Sequence, residues 1–178
     1  MALLPLVAKS HPDGGSLLFG TLLGCFGAGA IIGALTNTRI RARFSNEWVT
    51  RIGLVVFAAA AAAQAGFAWT LEYVKSREAF GERIADFQNT RFRLADLAVT
   101  VDVIWAYIDR AITLYGEGAL TPEEAAKVKF WTTEREWEVL DTCVQLHGGY
   151  GYITEYPIAR AFLDARVHRI YGGTNEIM

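Results

Sequence analysis

The chain has 178 residues, which is enough for one domain with an appended segment. Its 17 Lys and Arg against 19 Asp and Glu give a net charge of −2, so the composition indicates no basic surface for nucleic acid. The two cysteines, Cys25 and Cys143, have no spacing that suggests a disulfide or a metal site, and we interpret both as apolar side chains. The three histidines, at positions 11, 147 and 168, lie far apart in the sequence, and no metal site is predicted.

The first third of the chain carries most of its hydrophobic excess. No charged residue occurs in residues 14–38, and these 25 residues are enough to span a bilayer as a helix. Gly20 with Gly24, and Gly29 with Gly33, repeat the spacing of small residues that lets membrane helices approach closely. Two interpretations follow: a membrane span, which we favour, and a glycine-rich buried segment of a water-soluble protein.

A basic cluster of Arg39, Arg41, Arg43 and Arg51 comes directly after this segment. Under the positive-inside rule, such a cluster would hold its loop in the cytoplasm. The stretch 1–58, with its apolar run, basic loop and second apolar start, resembles a piece of a major-facilitator transporter. The resemblance covers at most two of that family's many spans, so transport by this segment alone is not expected.

A second uncharged run, residues 52–71, is also long enough to span a bilayer. Its centre is the alanine run 58–63, which has high helix propensity but little hydrophobicity, and Gln64 interrupts it. A span here would also place everything after Glu72 on the side opposite to the arginine loop. We therefore predict that residues 52–76 form a helix of a water-soluble bundle.

Helical signals continue along the rest of the chain. Apolar residues recur at three- and four-residue steps from Phe92 to Leu114, which is the pattern of an amphipathic helix. Thr121 supplies a cap, Pro122 suits the first helical position and Glu124 adds an acidic third position, so another helix should begin there. The sequence has no alternating strand pattern and no Asn-Gly turn, and no strand is predicted.

Glycines should end the last two helices. The helix that begins at Thr121 should stop at His147, because the glycines that follow can take the left-handed conformation. Pro157 should open a final helix that a glycine pair closes. The predicted fold class is all-α: an antiparallel up-and-down helix bundle over residues 52–178, preceded by a hydrophobic helix in a transporter-like segment, 1–51.

Three motifs in the second part of the chain carry a family resemblance. Residues 73–88 read Y-V-K-S-R-E-A-F-G-E-R-I-A-D-F-Q, residues 141–152 read D-T-C-V-Q-L-H-G-G-Y-G-Y, and residues 155–178 end in I-Y-G-G-T-N-E-I-M. In this order they resemble the start, the helix-to-glycine turn and the final signature of the C-terminal helical domain of FAD-dependent acyl-CoA dehydrogenases. The long-chain type is the most similar, and the resemblance extends from about residue 63 to residue 178.

The resemblance implies that FAD lies between subunits. Arg77 and Gln88 match residues that reach the adenosine and pyrophosphate part of a neighbouring subunit's FAD, and a guanidinium suits that role because it forks onto phosphate oxygens. The alternative for Arg77 is a solvated surface charge. The family's cofactor-binding turn is matched by Gln145, Leu146, His147, Gly148 and Gly149. An ordinary helix C-cap is compatible with that role, and Leu146, like Phe80, is expected to pack more than to bind.

The final motif supplies the remaining implied site residues. Thr174, Asn175 and Glu176 match the segment that contacts FAD from within the same subunit. Gly172 and Gly173 precede them and match the adjoining part of the substrate site. The resemblance therefore implies two cofactor-contacting surfaces in one chain.

The chemistry of the family needs one carboxylate, which removes an α proton while a β hydride passes to the flavin. In short- and medium-chain members this glutamate stands where the present chain has Gly172. In the long-chain and isovaleryl types it lies on an earlier helix, and counting back from Tyr73 places the matching position at about Arg51. No carboxylate occurs between Glu47 and Glu72, and we interpret Glu72 as a surface charge. No catalytic residue is predicted.

Two functions from different classes follow. The first is the FAD-binding C-terminal domain of an acyl-CoA dehydrogenase, with acyl-CoA as substrate, an electron-transfer flavoprotein as partner and homo-oligomers. Because the family's other two domains and its glutamate have no counterpart here, we expect an inactive fusion or fragment, joined near the alanine run. The second is a membrane-anchored, non-catalytic helical oligomerisation module. The expected location is the cytoplasm, with contact to the inner membrane through residues 14–38.

Overall fold

The computed structural model describes residues 46–178, with side chains from Thr50 onward. The predicted span at 14–38 and the arginines at 39–43 lie outside the described residues. Asn46–Met178 forms one compact unit. Its first helix begins at Asn46 and crosses the predicted domain boundary at 51/52 without a break. The division of the chain into domains stays a prediction.

Four α-helices and one short hairpin form the described part of the chain. They are α1 (Asn46–Ser76), the hairpin β1 (Glu78–Ala79) and β2 (Glu82–Arg83), α2 (Gln88–Gly116), α3 (Pro122–His147) and α4 (Pro157–Ala165). Three 3-10 turns, Ile84–Asp86, Gly148–Tyr152 and Arg166–Arg169, join or follow the helices. The predicted all-α class is confirmed for this part of the chain.

Consecutive helices run antiparallel. Phe57, in the first half of α1, packs edge-on against Trp105 in the second half of α2, with ring centres 5.3 Å apart. Tyr73, near the end of α1, stacks on His147 at the end of α3, with ring centres 4.2 Å apart. The first and third helices therefore point the same way, with α2 reversed, which confirms the predicted up-and-down order.

Small side chains bring α1 close to α3. Ala59, Ala60 and Ala63, from the alanine run, have no exposed surface. A Cβ added at Gly66 would lie 2.4 Å from Cδ2 of Leu140 on α3. The alanine run therefore supplies helix propensity and a close helix contact together, as expected for a bundle helix.

One helix in the described part of the chain, Thr50–Ser76, is long and apolar enough to cross a membrane by length and composition. Core helices of bundles share these properties. In this chain the helix contributes Ile52, Val56 and Val74 to the buried core, in addition to its alanines. These contacts support the prediction that it belongs to the bundle.

The predicted helix signals at α3 are confirmed by its ends. The Thr121 hydroxyl accepts a hydrogen bond from the Glu124 backbone N–H at 3.2 Å, and Pro122 occupies the first turn. Gly148 ends the helix with φ = 60°. The final helix opens at Pro157 as predicted, but it ends at Ala165 and tightens into a 3-10 turn, a common way for a helix to finish.

The hairpin was not predicted. Its strands have two residues each, which is too short for an alternating pattern. Its turn places Phe80 at φ = 56° and Gly81 at φ = 83°. Turns with two left-handed residues are usually signalled by Asn or Gly at the first position, and phenylalanine gives no such signal.

Candidate cofactor site

Six of the predicted cofactor residues line one groove at the C-terminal ends of α1 and α3. We call this groove, of about 570 Å³ and lined by Arg77 and by the whole stretch from Gln145 to Gly149, the Arg77 groove. The Arg77 side chain is exposed, and its guanidinium carbon lies 5.5 Å from the centre of the Tyr150 ring. No ion pair among the described residues involves Arg77. A cation held over an aromatic ring is therefore available to an anionic ligand.

The glycines of the turn have different roles. The N–H of Gly148 bonds the carbonyl of Gln145, so the residue caps α3. A Cβ added at Gly148 or Gly149 would meet nothing within 4 Å, so the groove side of this backbone is open to close approach. At Gly151 a Cβ would lie 2.4 Å from the backbone oxygen of Val144. Gly151 is therefore required by packing, whereas the first two glycines leave backbone accessible to a ligand.

His147 supports the groove from beneath. Its ring is 4% exposed and stacks on Tyr73, whose hydroxyl donates to the His147 carbonyl at 3.2 Å. The Nδ1 atom lies 2.8 Å from the carbonyl oxygen of Cys143, and only a protonated Nδ1 can donate there. Burial lowers the pKa of the His147 imidazole. The lowered pKa favours the neutral ring, and the contacts of His147 with Tyr73 and Cys143 fix the turn.

The other residues predicted near this site take separate positions. Gln88 is exposed at the first residue of α2 and does not line the Arg77 groove. Leu146 lines the groove and packs against the core, as expected. Phe80, expected to pack, is 99% exposed at the hairpin tip, so it does not pack against the described part of this chain.

A second surface lies on the segment between α4 and the last residue. We call residues 170–176 the C-terminal loop. Gly172 and Gly173 have φ of 68° and 108°, and the chain then turns back so that Thr174 is half-buried and Glu176 exposed. The Glu176 backbone N–H and the Thr174 hydroxyl lower the pKa of the Glu176 carboxyl. Both residues are placed where a ligand could reach them.

Asn175 differs from its neighbours because its side chain is buried against α3. It is 8% exposed, and its Oδ1 accepts from the Lys129 ammonium at 2.6 Å. Its Nδ2 donates to the Thr133 hydroxyl at 3.0 Å and to a Glu134 oxygen at 2.7 Å. The structure thus places the Asn175 side chain among α3 groups, away from the surface that Thr174 and Glu176 share.

The two positions that the resemblance assigns to the catalytic base are neighbours. A Cβ added at Gly172 would lie 3.8 Å from Cγ1 of Ile52, the residue that follows Arg51. Ile52 and Gly172, which are 120 residues apart in sequence, thus lie at the same end of the bundle. Neither Gly172 nor Arg51 carries a carboxylate. Glu72 is exposed near the other end of α1, as expected for a surface charge.

Sequence reasoning missed the two buried charged groups Lys129 and Glu136 on α3, and the half-buried His168 that packs against Glu136. Lys129 and Glu136 have no exposed surface, and His168 Nδ1 lies 2.9 Å and 3.0 Å from the two Glu136 oxygens. Burial raises the pKa of Glu136, while the Glu136 hydrogen bond raises the pKa of His168. The available signal was the position of Lys129 and Glu136 on the apolar stripe of α3, where charged residues are rare unless paired. His168 lies in the 3-10 turn after α4 and carried no such signal.

The two predicted cofactor surfaces lie at opposite ends of the bundle. Tyr73 adjoins the Arg77 groove, and Ile52 adjoins the C-terminal loop. These two residues are 21 positions apart on α1, a separation of about 30 Å at the rise of an α-helix. The structure therefore brings Arg77 together with the glycine turn and keeps both away from Thr174 and Glu176.

Comparison with known proteins shows the family of the chain. A family model described as acyl-CoA dehydrogenase, C-terminal domain, matches residues 47–178. The mitochondrial long-chain specific acyl-CoA dehydrogenase of Sus scrofa is 45% identical over 125 residues, covering 70% of this chain and 29% of that protein. The caffeyl-CoA reductase-Etf complex subunit CarC of Acetobacterium woodii is 38% identical over 115 residues, covering 65% of this chain and 30% of that protein.

Solved structures show similarity to the same family. The crystal structure of an acyl-CoA dehydrogenase from Geobacillus kaustophilus matches with a TM-score of 0.70 and 41% identity, covering 73% of this chain and 34% of that one. The chain thus spans about a third of the length of these relatives. It belongs to the acyl-CoA dehydrogenase family, as a C-terminal domain. A second family model, described as transmembrane secretion effector, matches residues 1–73, so most of α1 lies within both matches.

Proposed function

We propose that this chain binds FAD through two surfaces, as the C-terminal domain of a flavoprotein that dehydrogenates acyl-CoA thioesters. The observation that carries the proposal is the separation of about 30 Å along α1 between the Arg77 groove and the C-terminal loop. The residues assigned to a neighbour's FAD gather at one end, and those assigned to the chain's own FAD gather at the other. Each surface would hold part of a different cofactor, which requires a homo-oligomer.

The groups at the Arg77 groove suit a dinucleotide. The Arg77 guanidinium would bind pyrophosphate oxygens, because it has no carboxylate partner in the described part of the chain. The open backbone at Gly148 and Gly149 would let the cofactor approach closely. Gln88, on the surface at the start of α2, would contact the same cofactor. At the other surface Thr174 and Glu176 would contact the chain's own FAD, while Asn175 supports the loop.

The proposed substrate is an acyl-CoA, whose reacting end would lie beside Gly172 and Gly173. Bound FAD would supply the acceptor for the β hydride, and an electron-transfer flavoprotein would reoxidise it. Neither Gly172 nor Arg51 can remove the α proton, so this chain by itself should dehydrogenate acyl-CoA very slowly. The proposed location is the cytoplasm, with the N-terminal segment at the inner membrane.

The test measures FAD binding to the full chain purified in mild detergent. Flavin absorbance at near one FAD per chain is expected after removal of free cofactor. Arg77→Gln should weaken FAD binding by about tenfold, because it removes a charge-assisted hydrogen bond. Arg110→Gln is the matched control, since Arg110 is exposed on α2 and does not line the groove. Equal affinities for the wild type and Arg77→Gln would refute the role of the groove.

A second candidate function rests on the match of residues 1–73 to the transmembrane secretion effector model and on the apolar length of α1. In this case the chain is a membrane-anchored, non-catalytic oligomerisation module. It predicts a folded, colourless chain that stays in the membrane fraction after alkaline extraction. Release into the soluble fraction with flavin bound would contradict it.

A further inference from the structure

The ammonium of Lys129 is buried on α3 and is surrounded by acceptors from the C-terminal loop and the turn before it. Its Nζ donates to the carbonyl of Gly173 at 2.7 Å, to Oδ1 of Asn175 at 2.6 Å and to the carbonyl of Arg169 at 3.3 Å. All three acceptors lie at least 40 residues later in the chain. An ammonium has three protons, so these acceptors can satisfy all of its donors.

The acceptors bracket the part of the loop that is conformationally unusual. Gly172 and Gly173 both take positive φ, and the carbonyl of Gly173 accepts a hydrogen bond from Lys129 on α3. The backbone N–H of Asn175 then closes the turn onto the carbonyl of Arg169 at 3.1 Å. Lys129 thus holds the loop before and after its glycine pair.

The buried charge of Lys129 favours one conformation of the C-terminal loop. In the described part of the chain no carboxylate forms an ion pair with Lys129, and Glu134 is linked to it through the Asn175 amide and through Arg169. Burial lowers the pKa of the Lys129 ammonium and outweighs the charges of Glu176 and Glu134, which act to raise that pKa. A buried ammonium is costly unless its donors are used, and here the loop itself supplies the acceptors. A loop that moved away would leave the cation unsatisfied or open to water.

We propose that Lys129 is the positioning residue of the C-terminal loop, fixing Gly173 and Asn175 so that Thr174 and Glu176 face the FAD. The proposal rests on the proposed function for the identity of the ligand. The part of the proposal that concerns the loop conformation does not depend on which ligand binds. Lys129 touches neither cofactor nor substrate, and it acts through the conformation of residues 170–176.

The experiment compares the full chain with Lys129→Met, Lys129→Arg and Asn175→Ala. Amide hydrogen exchange without cofactor is measured for peptides from 169–178 and from the α1 and α3 cores, and FAD affinity is measured on the same samples. Lys129→Met should speed exchange in 169–178 by about tenfold or more and leave the helix cores within about twofold. It should also weaken FAD binding by about tenfold. Lys127→Met is the control, because Lys127 is exposed and pairs with Glu124 on the same helix.

The Lys129→Arg variant distinguishes a positioning role of Lys129 from a role in packing alone. Lys129→Arg keeps a charged donor and should restore most of the loop protection, whereas a role in packing alone would favour methionine, which fills the site without a buried charge. Unchanged exchange in Lys129→Met, or a uniform rise over the whole bundle, would overturn the proposal. If Lys129→Met does not fold, Asn175→Ala decides, since it removes one acceptor and should raise exchange in the loop alone.

Different results would refute the proposed function and the positioning role of Lys129. A wild-type chain that binds no FAD would refute the proposed function, while the exchange data would still test Lys129. A wild-type chain that binds FAD, combined with a Lys129→Met variant that keeps full affinity and a protected loop, would refute the positioning role alone.

Discussion

At its C-terminal end α3 meets α1 through stacked rings and glycine backbone. Further from that end, the buried side chains of Lys129 and Glu136 hold the C-terminal loop and the turn Arg166–Arg169. In the first region Tyr73 and His147 pack against each other as stacked rings. The second region is held by directed hydrogen bonds of Lys129, Glu136 and His168. One helix thus supports two surfaces by different physical means. The first region should be sensitive to added volume, and the second to lost charge or changed protonation.

The largest effect should come from adding a methyl group to the aromatic end. Gly151→Ala places a Cβ 2.4 Å from the Val144 oxygen and 3.0 Å from the His147 Cβ. Because the first contact is with backbone, the turn must shift, and unfolding free energy should fall by about 3 kcal/mol. Gly149→Ala is the matched control and should change stability by less than about 0.5 kcal/mol. Urea unfolding monitored by circular dichroism measures both; equal losses would show that the turn is not volume-limited.

A smaller effect is expected at the contact between α1 and α3 at Gly66. Gly66→Ala brings a Cβ within 2.4 Å of Leu140 Cδ2, a side-chain atom that can move slightly. Two opposed terms apply: helix propensity favours alanine by up to about 1 kcal/mol, and overpacking opposes it by about 1–3 kcal/mol. We expect a net loss of about 1 kcal/mol. Gly53→Ala, on the same helix with nothing within 4 Å, should instead gain stability. A gain at both sites would contradict a close helix contact.

The smallest effect separates the two regions by pH. The pKa of His168 is raised by Glu136, so its contribution is present below the unfolded pKa of about 6.5 and is lost as pH rises through the folded value. Burial raises the pKa of Glu136 and acts in the same direction. Asp164 also faces His168 and adds to its shift. His147 is opposite: its pKa is lowered, so stability is lost as pH falls below about 6.5.

Unfolding free energies of His168→Gln and His147→Gln test these signs. As the pH falls from about 8 to about 5.5, the cost of His168→Gln should grow, whereas the cost of His147→Gln should shrink. Parallel pH profiles for the two variants would show that the regions do not differ in protonation. The wild type and Lys127→Met, measured under the same conditions, provide the reference.

Local signals in the sequence were enough for the helices. Thr121 and Pro122 start α3, and the glycine after His147 ends it, because caps act within a few residues of backbone. The alanine run correctly predicted a bundle helix. The same reasoning failed for the hairpin at Phe80, where a left-handed phenylalanine carries no local signal. It also marked Phe92 and Ile112 as part of an apolar stripe, although they are 62% and 58% exposed.

In the candidate site, too, some features could be predicted from the sequence and others only from the tertiary structure. The family motifs in the sequence located Arg77, the glycine turn and Thr174 to Glu176, because each motif is continuous in the chain. Only the tertiary structure decided that these form two surfaces at opposite ends of α1, and that Asn175 is buried under the second one. The partners of Lys129 lie 40 to 46 residues away. Whether a buried charge is satisfied depends on groups that folding alone brings together, and no local pattern records them.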